Sequence, residues 1–235
     1  MFTSKHVIWL ALCAAFTAGL YSLSIRRRLT LRQAGGIMTV ICVLSEGSKI
    51  LGNLVESPGG GMHLDPKSLP LHLCSLMLFV VFYLTFGTNE GRRARLANFL
   101  AVIGVLGSVC ALLIPTNGTD FRTPDAYQCF VYHAGLLWFA LYLIGSGQAR
   151  LGSLRVLGQN LGTLLLLTAG MLYVNSALSG YDTNFFYLTR PPMEGLPVLN
   201  LDSGWYAYFF RLVALAAAAV TLFHLPFLLR ARRKG

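Results

Sequence analysis

The chain is 235 residues long; 55% of its residues are apolar, 12% are charged, and its mean hydropathy is +0.61. Soluble domains carry about 25% charged residues, so this composition excludes an ordinary soluble domain. Seven apolar stretches take up most of the length, and each approaches the ~20 residues that a helix needs to cross a bilayer core. The sequence therefore predicts an all-α polytopic membrane protein, in which residues 1–235 form a single domain of seven transmembrane helices.

The predicted helices follow one another with connections too short to form a soluble domain. The connections after the second, fourth and sixth helices are the longer ones and are rich in glycine and proline, which is typical of loops. In chain order, the predicted helices span residues 6–25, 34–55, 70–86, 96–114, 126–144, 156–178 and 204–229.

The formal charge of +10 raises the question of a nucleic-acid partner, which the positions of the basic residues answer. Most of the 19 basic residues lie in alternate connections and at the C-terminal end. By the positive-inside rule, the C-terminus is then cytoplasmic and the N-terminus lies outside. We therefore expect anionic inner-leaflet lipid at the basic loops and no nucleic-acid partner. The basic residues assigned to the cytoplasmic side are Arg26, Arg27, Arg28, Arg32, Arg92, Arg93, Arg95, Arg150, Arg155, Arg230, Arg232, Arg233 and Lys234.

Polar residues inside the predicted helices carry the functional information, because a charge in hydrocarbon is costly unless it faces protein or water. In the predicted topology, nearly all of these residues fall in the outer half of the bilayer. This asymmetry favours a pocket that opens to the outer leaflet over a channel that crosses the membrane. The outer-half residues are Glu46, Lys49, Asn53, Cys74, His133, Asn175 and Arg211.

The second predicted helix has a polar stripe, in which Glu46, Lys49 and Asn53 lie on one face together with Thr39 and Cys42. Two interpretations remain open. Glu46 and Lys49, one turn apart, could neutralise each other and stabilise helix packing, or they could belong to a binding or catalytic site. Arg211 is a competing partner for Glu46, and a buried ion pair can also orient a catalytic group.

Cys74 is a candidate nucleophile near the start of the third predicted helix. Ser68 as N-cap and Pro70 in the first turn would place Cys74 near the positive end of the helix, which favours a thiolate. Burial in lipid opposes ionisation, so a base is needed, and His133 enters the membrane from the same side. His72 lies about 200° round the helix from Cys74 and is expected to point elsewhere. By residue type alone, a membrane cysteine is more often a packing residue.

A set of motifs in order along the chain resembles the YwaF-like integral membrane family, which extends to the eukaryotic transmembrane protein 164 family. The most specific is Leu-Pro-Leu-His-Leu-Cys-Ser-Leu at residues 69–76. The others are Glu46, His133 followed by a small residue and two leucines, the stretch at residues 184–188 with its two following prolines, and a last helix that opens on tryptophan. The resemblance covers nearly the whole chain.

The resemblance implies a function and two active residues. The eukaryotic relatives are regarded as phospholipid acyltransferases that use a cysteine and a histidine, and the motifs map these roles onto Cys74 and His133. Their fold resembles that of the androgen-induced membrane hydrolases. Tyr132, Phe185 and Phe186 depart from the expected pattern, which bears on the preference for acyl chain or headgroup.

These observations together predict a membrane-embedded lipid acyltransferase or acyl hydrolase that acts on a membrane phospholipid or lysophospholipid, without metal or cofactor. His133 takes the thiol proton and Cys74 attacks the acyl ester. Glu46 or Asn175 is expected to orient the imidazole, and Lys49 or Arg211 to hold a phosphate; Asn53 and His72 are further supporting candidates. We expect the protein in a bacterial inner membrane.

Two other classes of function stay open at the sequence level. One is a transporter or receptor-like protein that binds a small polar ligand with Glu46, Lys49 and Arg211. The other is a seven-span zinc hydrolase with His63, His72, His133 and an acidic residue as ligands, although these residues lack a recognised metal-binding spacing. In addition, Cys110 and Cys129 approach the outer face and could form a disulfide.

Overall fold

The computed structural model describes residues 3–56, 60–116 and 118–233, so Lys234, counted above with the cytoplasmic basic residues, lies outside the described part. Within these ranges the chain forms seven α-helices and a small sheet, which confirms the predicted all-α polytopic class. The helices are α1 Ser4–Arg26, α2 Leu31–Gly52, α3 Leu73–Phe86, α4 Glu90–Leu113, α5 Pro124–Gly145, α6 Leu154–Ala177 and α7 Gly204–Arg232.

Six of these helices are long and apolar enough to cross a membrane, and α3 is the exception. It has 14 residues, which at ~1.5 Å per residue falls short of a ~30 Å hydrocarbon core. The predicted start at Pro70 is wrong, because α3 begins at Leu73. Leu69, which precedes the proline, is extended with a ψ of 145°. Ser68 ends a separate 3-10 turn, Pro66–Ser68, instead of capping α3.

A small antiparallel sheet follows α2. Its strands are β1, Leu54–Glu56, and β2, Met62–Leu64, with Val55 opposite His63. The predicted second helix, 34–55, is therefore too long at its C-terminal end. Asn53 does not lie on α2, as the polar-stripe prediction required, because the helix ends at Gly52 and the chain turns into the strand.

The chain divides into two compact units, and the first comprises residues 1–52 and 74–150. Helix α5 is its most buried element and packs against α1, α2 and α4. Small residues allow these close contacts: a Cβ on Gly104 would lie 2.9 Å from Ala140 Cβ, and one on Gly135 would lie 3.2 Å from the side chain of Ile41. The first unit thus holds α2, α3 and the central α5, which carry the candidate site.

The packing of α2 against α3 leads to a matched pair of substitutions. A Cβ on Gly35 would lie 2.3 Å from Thr85 Oγ1, whereas a Cβ on Gly36 would have no atom within 4 Å. We expect Gly35→Ala to lower the free energy of unfolding by about 1–3 kcal/mol through overpacking. Gly36→Ala should raise it by about 0.5–1 kcal/mol, because alanine favours the helix over glycine. Thermal unfolding in detergent measures both, and equal effects would contradict this close contact.

The second unit comprises residues 53–73 and 151–235, with α6 packed against α7. Its segment 183–190 is held by side chains on both helices. Asn175 on α6 hydrogen-bonds both the N–H and the C=O of Phe185, each at 2.9 Å. From α7, Trp205 Nε1 donates to Leu188 O at 2.9 Å and the Tyr208 hydroxyl donates to Tyr187 O. These bonds stabilise Tyr187, whose φ of +56° is unfavourable for a bulky side chain.

Candidate functional site

Glu46 and Lys49 form an ion pair on α2. They lie three residues apart, and Lys49 Nζ is 2.7 Å from Glu46 Oε1. Their side chains are only 10% and 19% exposed. Each charge compensates the other at a largely buried position, so the two side chains must be considered together.

Ser75, in the first turn of α3, joins this ion pair. Lys49 Nζ donates to Ser75 Oγ at 3.3 Å, and Ser75 Oγ in turn donates to Glu46 Oε1 at 3.3 Å. The hydroxyl is buried and therefore connects α2 to the start of α3. The sequence prediction missed Ser75, although its position directly after Cys74 was a usable signal.

Cys74 is the second residue of α3, closer to the helix start than predicted. Its side chain is half-buried. The sulfur lies within reach of the backbone N–H groups of Cys74 and Ser75 and close enough to Lys49 to interact with its charge. These groups favour a negative charge on the sulfur, whereas the Glu46 carboxylate disfavours it. A helix N-terminus, N–H groups and a cation favour a thiolate, but burial of the sulfur is the larger effect and favours the thiol, so Cys74 needs a base to react.

Tyr132 fixes the start of α3 from α5. Its hydroxyl donates a hydrogen bond to the Cys74 carbonyl oxygen, and the Cys42 thiol interacts with the same hydroxyl. Gln128, one turn earlier on α5, donates to Ser45 Oγ on α2 at 2.9 Å. The i, i+4 spacing of Gln128 and Tyr132 on a mostly apolar helix was the available signal for this polar face. The sequence pattern had marked Tyr132 only as a departure from the family motif.

His133 is buried on α5, and its own helix orients its ring. Nδ1 is 2.7 Å from the carbonyl oxygen of Cys129. Because a carbonyl can only accept, Nδ1 carries the proton and Nε2 is the basic nitrogen. Cys129 Sγ lies 3.7 Å from the same Nδ1. The group that orients the imidazole ring of His133 is therefore the Cys129 carbonyl, whereas the sequence predicted Glu46 or Asn175 in this role.

Cys74 and His133 belong to the same unit but have different immediate partners. Within the described residues, no hydrogen bond joins the Cys74 thiol to the His133 ring. Tyr132, which contacts Cys74, precedes His133 on α5, and successive residues of a helix point about 100° apart. The structure thus brings Cys74 together with Glu46, Lys49 and Tyr132, and places His133 at the next position along α5.

The comparison with protein-family models identifies the chain. The model of the TMEM164 family matches residues 1–224. The chain belongs to the TMEM164 family. Comparisons with curated proteins and with solved structures returned no match. The match confirms the resemblance to the transmembrane protein 164 family and covers Glu46, Cys74 and His133.

The other predicted supporting residues of this TMEM164 family member lie in its second unit. His72 packs against Phe185 and Tyr187, with ring centroids 5.4 and 5.5 Å apart, and it precedes α3 instead of lying on it. Asn53 accepts a hydrogen bond from Asp65 N through its carbonyl oxygen, at 3.4 Å. In this unit, therefore, His72 contacts the 3-10 turn Phe185–Tyr187, and Asn53 contacts Asp65, which follows β2.

Arg211 is the remaining cation that was proposed for a phosphate. Its guanidinium donates to Asn200 Oδ1 at 3.3 Å and to Ser203 Oγ at 3.0 Å, both in the connection before α7. Glu46, for which Arg211 was a competing partner, is paired with Lys49. The binding-protein alternative relied on the charges of Glu46, Lys49 and Arg211, and two of these three compensate each other.

The zinc alternative requires three or more ligands at one place. Among the described residues of this TMEM164 family member, no three His, Cys, Asp or Glu side chains come together as metal ligands. The structure has Cys110 as an exposed free thiol and Cys129 as a buried one, without the disulfide between them. Neither the zinc site nor the disulfide gains support from this arrangement.

Proposed function

We propose that this TMEM164 family member is a membrane-embedded lipid acyltransferase, with Cys74 as the nucleophile and His133 as the base. The observation that carries the proposal is the environment of the Cys74 sulfur. The sulfur lies at the positive end of α3, beside two backbone N–H groups and within the influence of Lys49. Burial of the sulfur opposes negative charge, and the N–H groups and Lys49 offset part of that cost, which a packing cysteine does not need.

The proposed reaction has two steps that share one thioester. His133 Nε2 takes the Cys74 proton, and the sulfur attacks the acyl ester carbonyl of a membrane phospholipid. A C–S bond forms, the ester C–O bond breaks, and the departing alkoxide takes the proton from His133. His133 then removes a proton from the hydroxyl of a lysophospholipid, which attacks the thioester and releases the thiol. Water in place of the lysophospholipid gives hydrolysis.

Each neighbouring group has a role in this proposal. The first N–H groups of α3 have no partner within the helix, so those near the sulfur can stabilise the oxyanion of the tetrahedral intermediate. Lys49 supports the thiolate, and Glu46 and Ser75 hold Lys49 in place. Tyr132 holds the backbone of Cys74. The protein acts, in this proposal, in the outer half of a bacterial inner membrane.

The test is acyl exchange in proteoliposomes that contain a phospholipid with a radiolabelled acyl chain and an unlabelled lysophospholipid. Cys74→Ala should reduce exchange by at least ~100-fold, because it removes the nucleophile. The wild-type protein should carry a labelled acyl group that hydroxylamine releases, and Cys74→Ala should carry none.

The matched control is Cys110→Ala, which removes an exposed thiol from α4. Exchange and acyl labelling should stay within about twofold of the wild type, since Cys110 lies outside the proposed chemistry. Full exchange by Cys74→Ala, or labelling that depends on Cys110, would reject Cys74 as the nucleophile.

A further inference from the structure

The second unit has an uneven distribution of charge. Helices α6 and α7 contain no aspartate or glutamate. The acidic residues of this unit all lie in connections or in β1, whereas arginines cluster where α6 begins and α7 ends. This end of the two helices is therefore basic without acidic neighbours along either helix. The arginines of the cluster are Arg155, Arg230, Arg232 and Arg233.

A buried histidine fixes α7 against the start of α6 at this basic end. His224 is 0% exposed; its Nδ1 is 3.0 Å from Leu151 O and its Nε2 is 3.1 Å from Asn160 Nδ2. Two turns further along α7, Gly152 approaches the helix so closely that a Cβ there would lie 3.1 Å from Ala231 Cβ. The start of α6 and the end of α7 are thus held together at two levels.

A leucine groove with a volume of about 420 Å³ lies between these two segments. From α7, the groove is lined by Ala231 and by four residues at the i, i+3, i+4 and i+7 positions of one helix face: Leu225, Leu228, Leu229 and Arg232. Leu154 of α6 lines it as well and is 64% exposed. The lining of the leucine groove is therefore mostly apolar, and among the described residues its one charged member is Arg232, in the last turn of α7.

The occupant must match both features. Long apolar side chains that stay exposed on membrane-spanning helices have lipid as their surroundings, and an acyl chain can pack against the leucines of this groove. The volume lies within the ~300–1,000 Å³ of typical ligand pockets. The Arg232 guanidinium is expected to bind an anion, and neither α6 nor α7 contains a carboxylate that would do so.

We infer that the leucine groove binds one acyl chain of an anionic phospholipid whose phosphate is held by Arg232, with Arg155, Arg230 and Arg233 adding to the local positive charge. The bound lipid is a structural or regulatory ligand, and the inference does not depend on the chemistry at Cys74. The sequence alone predicts anionic lipid at the basic loops in general. Here, one groove takes the acyl chain and one side chain, Arg232, binds the phosphate.

The experiment uses Cys74→Ala protein, so that turnover cannot consume the lipid. The protein is mixed in detergent with equal amounts of phosphatidylglycerol and phosphatidylcholine that have identical acyl chains, and native mass spectrometry counts the lipids retained. We expect about tenfold more phosphatidylglycerol than phosphatidylcholine. Adding Arg232→Gln should lower phosphatidylglycerol retention by about fivefold, as loss of one basic contact to an anionic lipid predicts.

A separate variant tests the apolar part of the site, the leucine groove. Leu154→Trp should fill the leucine groove and lower retention of phosphatidylglycerol by about fivefold, with Leu225→Trp as a second variant if the first does not fold. Two controls match these changes: Leu166→Trp alters an exposed leucine of α6 outside the groove, and Arg92→Gln removes an exposed arginine from α4. Both should retain phosphatidylglycerol as the parent does.

Three results would overturn the inference. Equal retention of the two lipids would exclude selectivity for an anionic headgroup. If Arg92→Gln lowered phosphatidylglycerol retention as much as Arg232→Gln does, the retention would depend on the basic surface in general and not on Arg232. Unchanged retention in a folded groove-filling variant would exclude the leucine groove. These results are independent of the proposed acyl exchange, because lipid retention is measured on protein without Cys74, whereas exchange is tested in protein that contains it.

Discussion

His133→Asn should lower the rate of acyl exchange by about 10²–10⁴-fold, the range expected for loss of a general base. Asparagine places an N–H near the position of Nδ1, so the bond to the Cys129 carbonyl can persist while the basic nitrogen is lost. The measurement is exchange of a radiolabelled acyl chain in proteoliposomes at saturating lysophospholipid. The rate at which iodoacetamide alkylates Cys74 should fall in parallel, because His133 no longer takes the thiol proton.

Cys129→Ala provides the matched control for this substitution. The alanine variant keeps the backbone carbonyl that holds Nδ1 and removes only the thiol 3.7 Å away. Exchange should stay within about threefold of the wild type, since the carbonyl is the orienting group in our proposal. Wild-type exchange by His133→Asn would remove His133 from the mechanism, and loss of exchange in Cys129→Ala would assign the thiol a role of its own.

Glu46→Gln should lower the free energy of unfolding by about 3 kcal/mol, because it removes the carboxylate that is paired with the largely buried Lys49 ammonium. Lys49→Met should have a cost of similar size through the unpaired carboxylate. The double variant Glu46→Gln/Lys49→Met should recover most of the loss, since no unpaired charge remains. Unfolding in mixed micelles, followed by circular dichroism, gives the three values.

Ser75→Ala is the comparison for the same network. It removes a neutral hydroxyl that bonds both charged groups but leaves the ion pair in place, so we expect a loss of about 1 kcal/mol. If the costs of Glu46→Gln and Lys49→Met simply add in the double variant, the two side chains do not act as a pair. That outcome would return Glu46 and Lys49 to separate roles, as in a ligand-binding pocket.

Much of the fold follows from local sequence properties. Hydropathy and length predicted all seven helices, and the structure differs mainly at their ends. The clearest errors concern residues 53–72, where Asn53 leaves α2 for a strand and α3 begins only at Leu73. Pro70 keeps Leu69 extended and so separates α3 from the 3-10 turn Pro66–Ser68, although a proline is compatible with the first turn of a helix. The side of the membrane on which each end of the chain lies stays a prediction from the basic residues.

The candidate site shows the same division between local and long-range interactions. Glu46 and Lys49 pair because residues three apart share a helix face, and the sequence specifies that spacing. The hydrogen bond from His133 to the Cys129 carbonyl is likewise local, four residues back on α5. Both are properties of a single helix, so they can be predicted without knowing which helices are neighbours.

The sequence by itself thus determined the membrane-spanning class, the spacing that puts Glu46 and Lys49 on one face of α2, and the place of Cys74 near a helix start. Only the tertiary structure decided that Ser75 bridges this ion pair, that Tyr132 holds the Cys74 backbone, and that Asn175 bonds the Phe185 backbone. The physical reason is that hydropathy is similar on every apolar helix and does not select partners. Partners are selected by small residues that allow close approach and by polar groups that must find hydrogen bonds in an apolar surrounding.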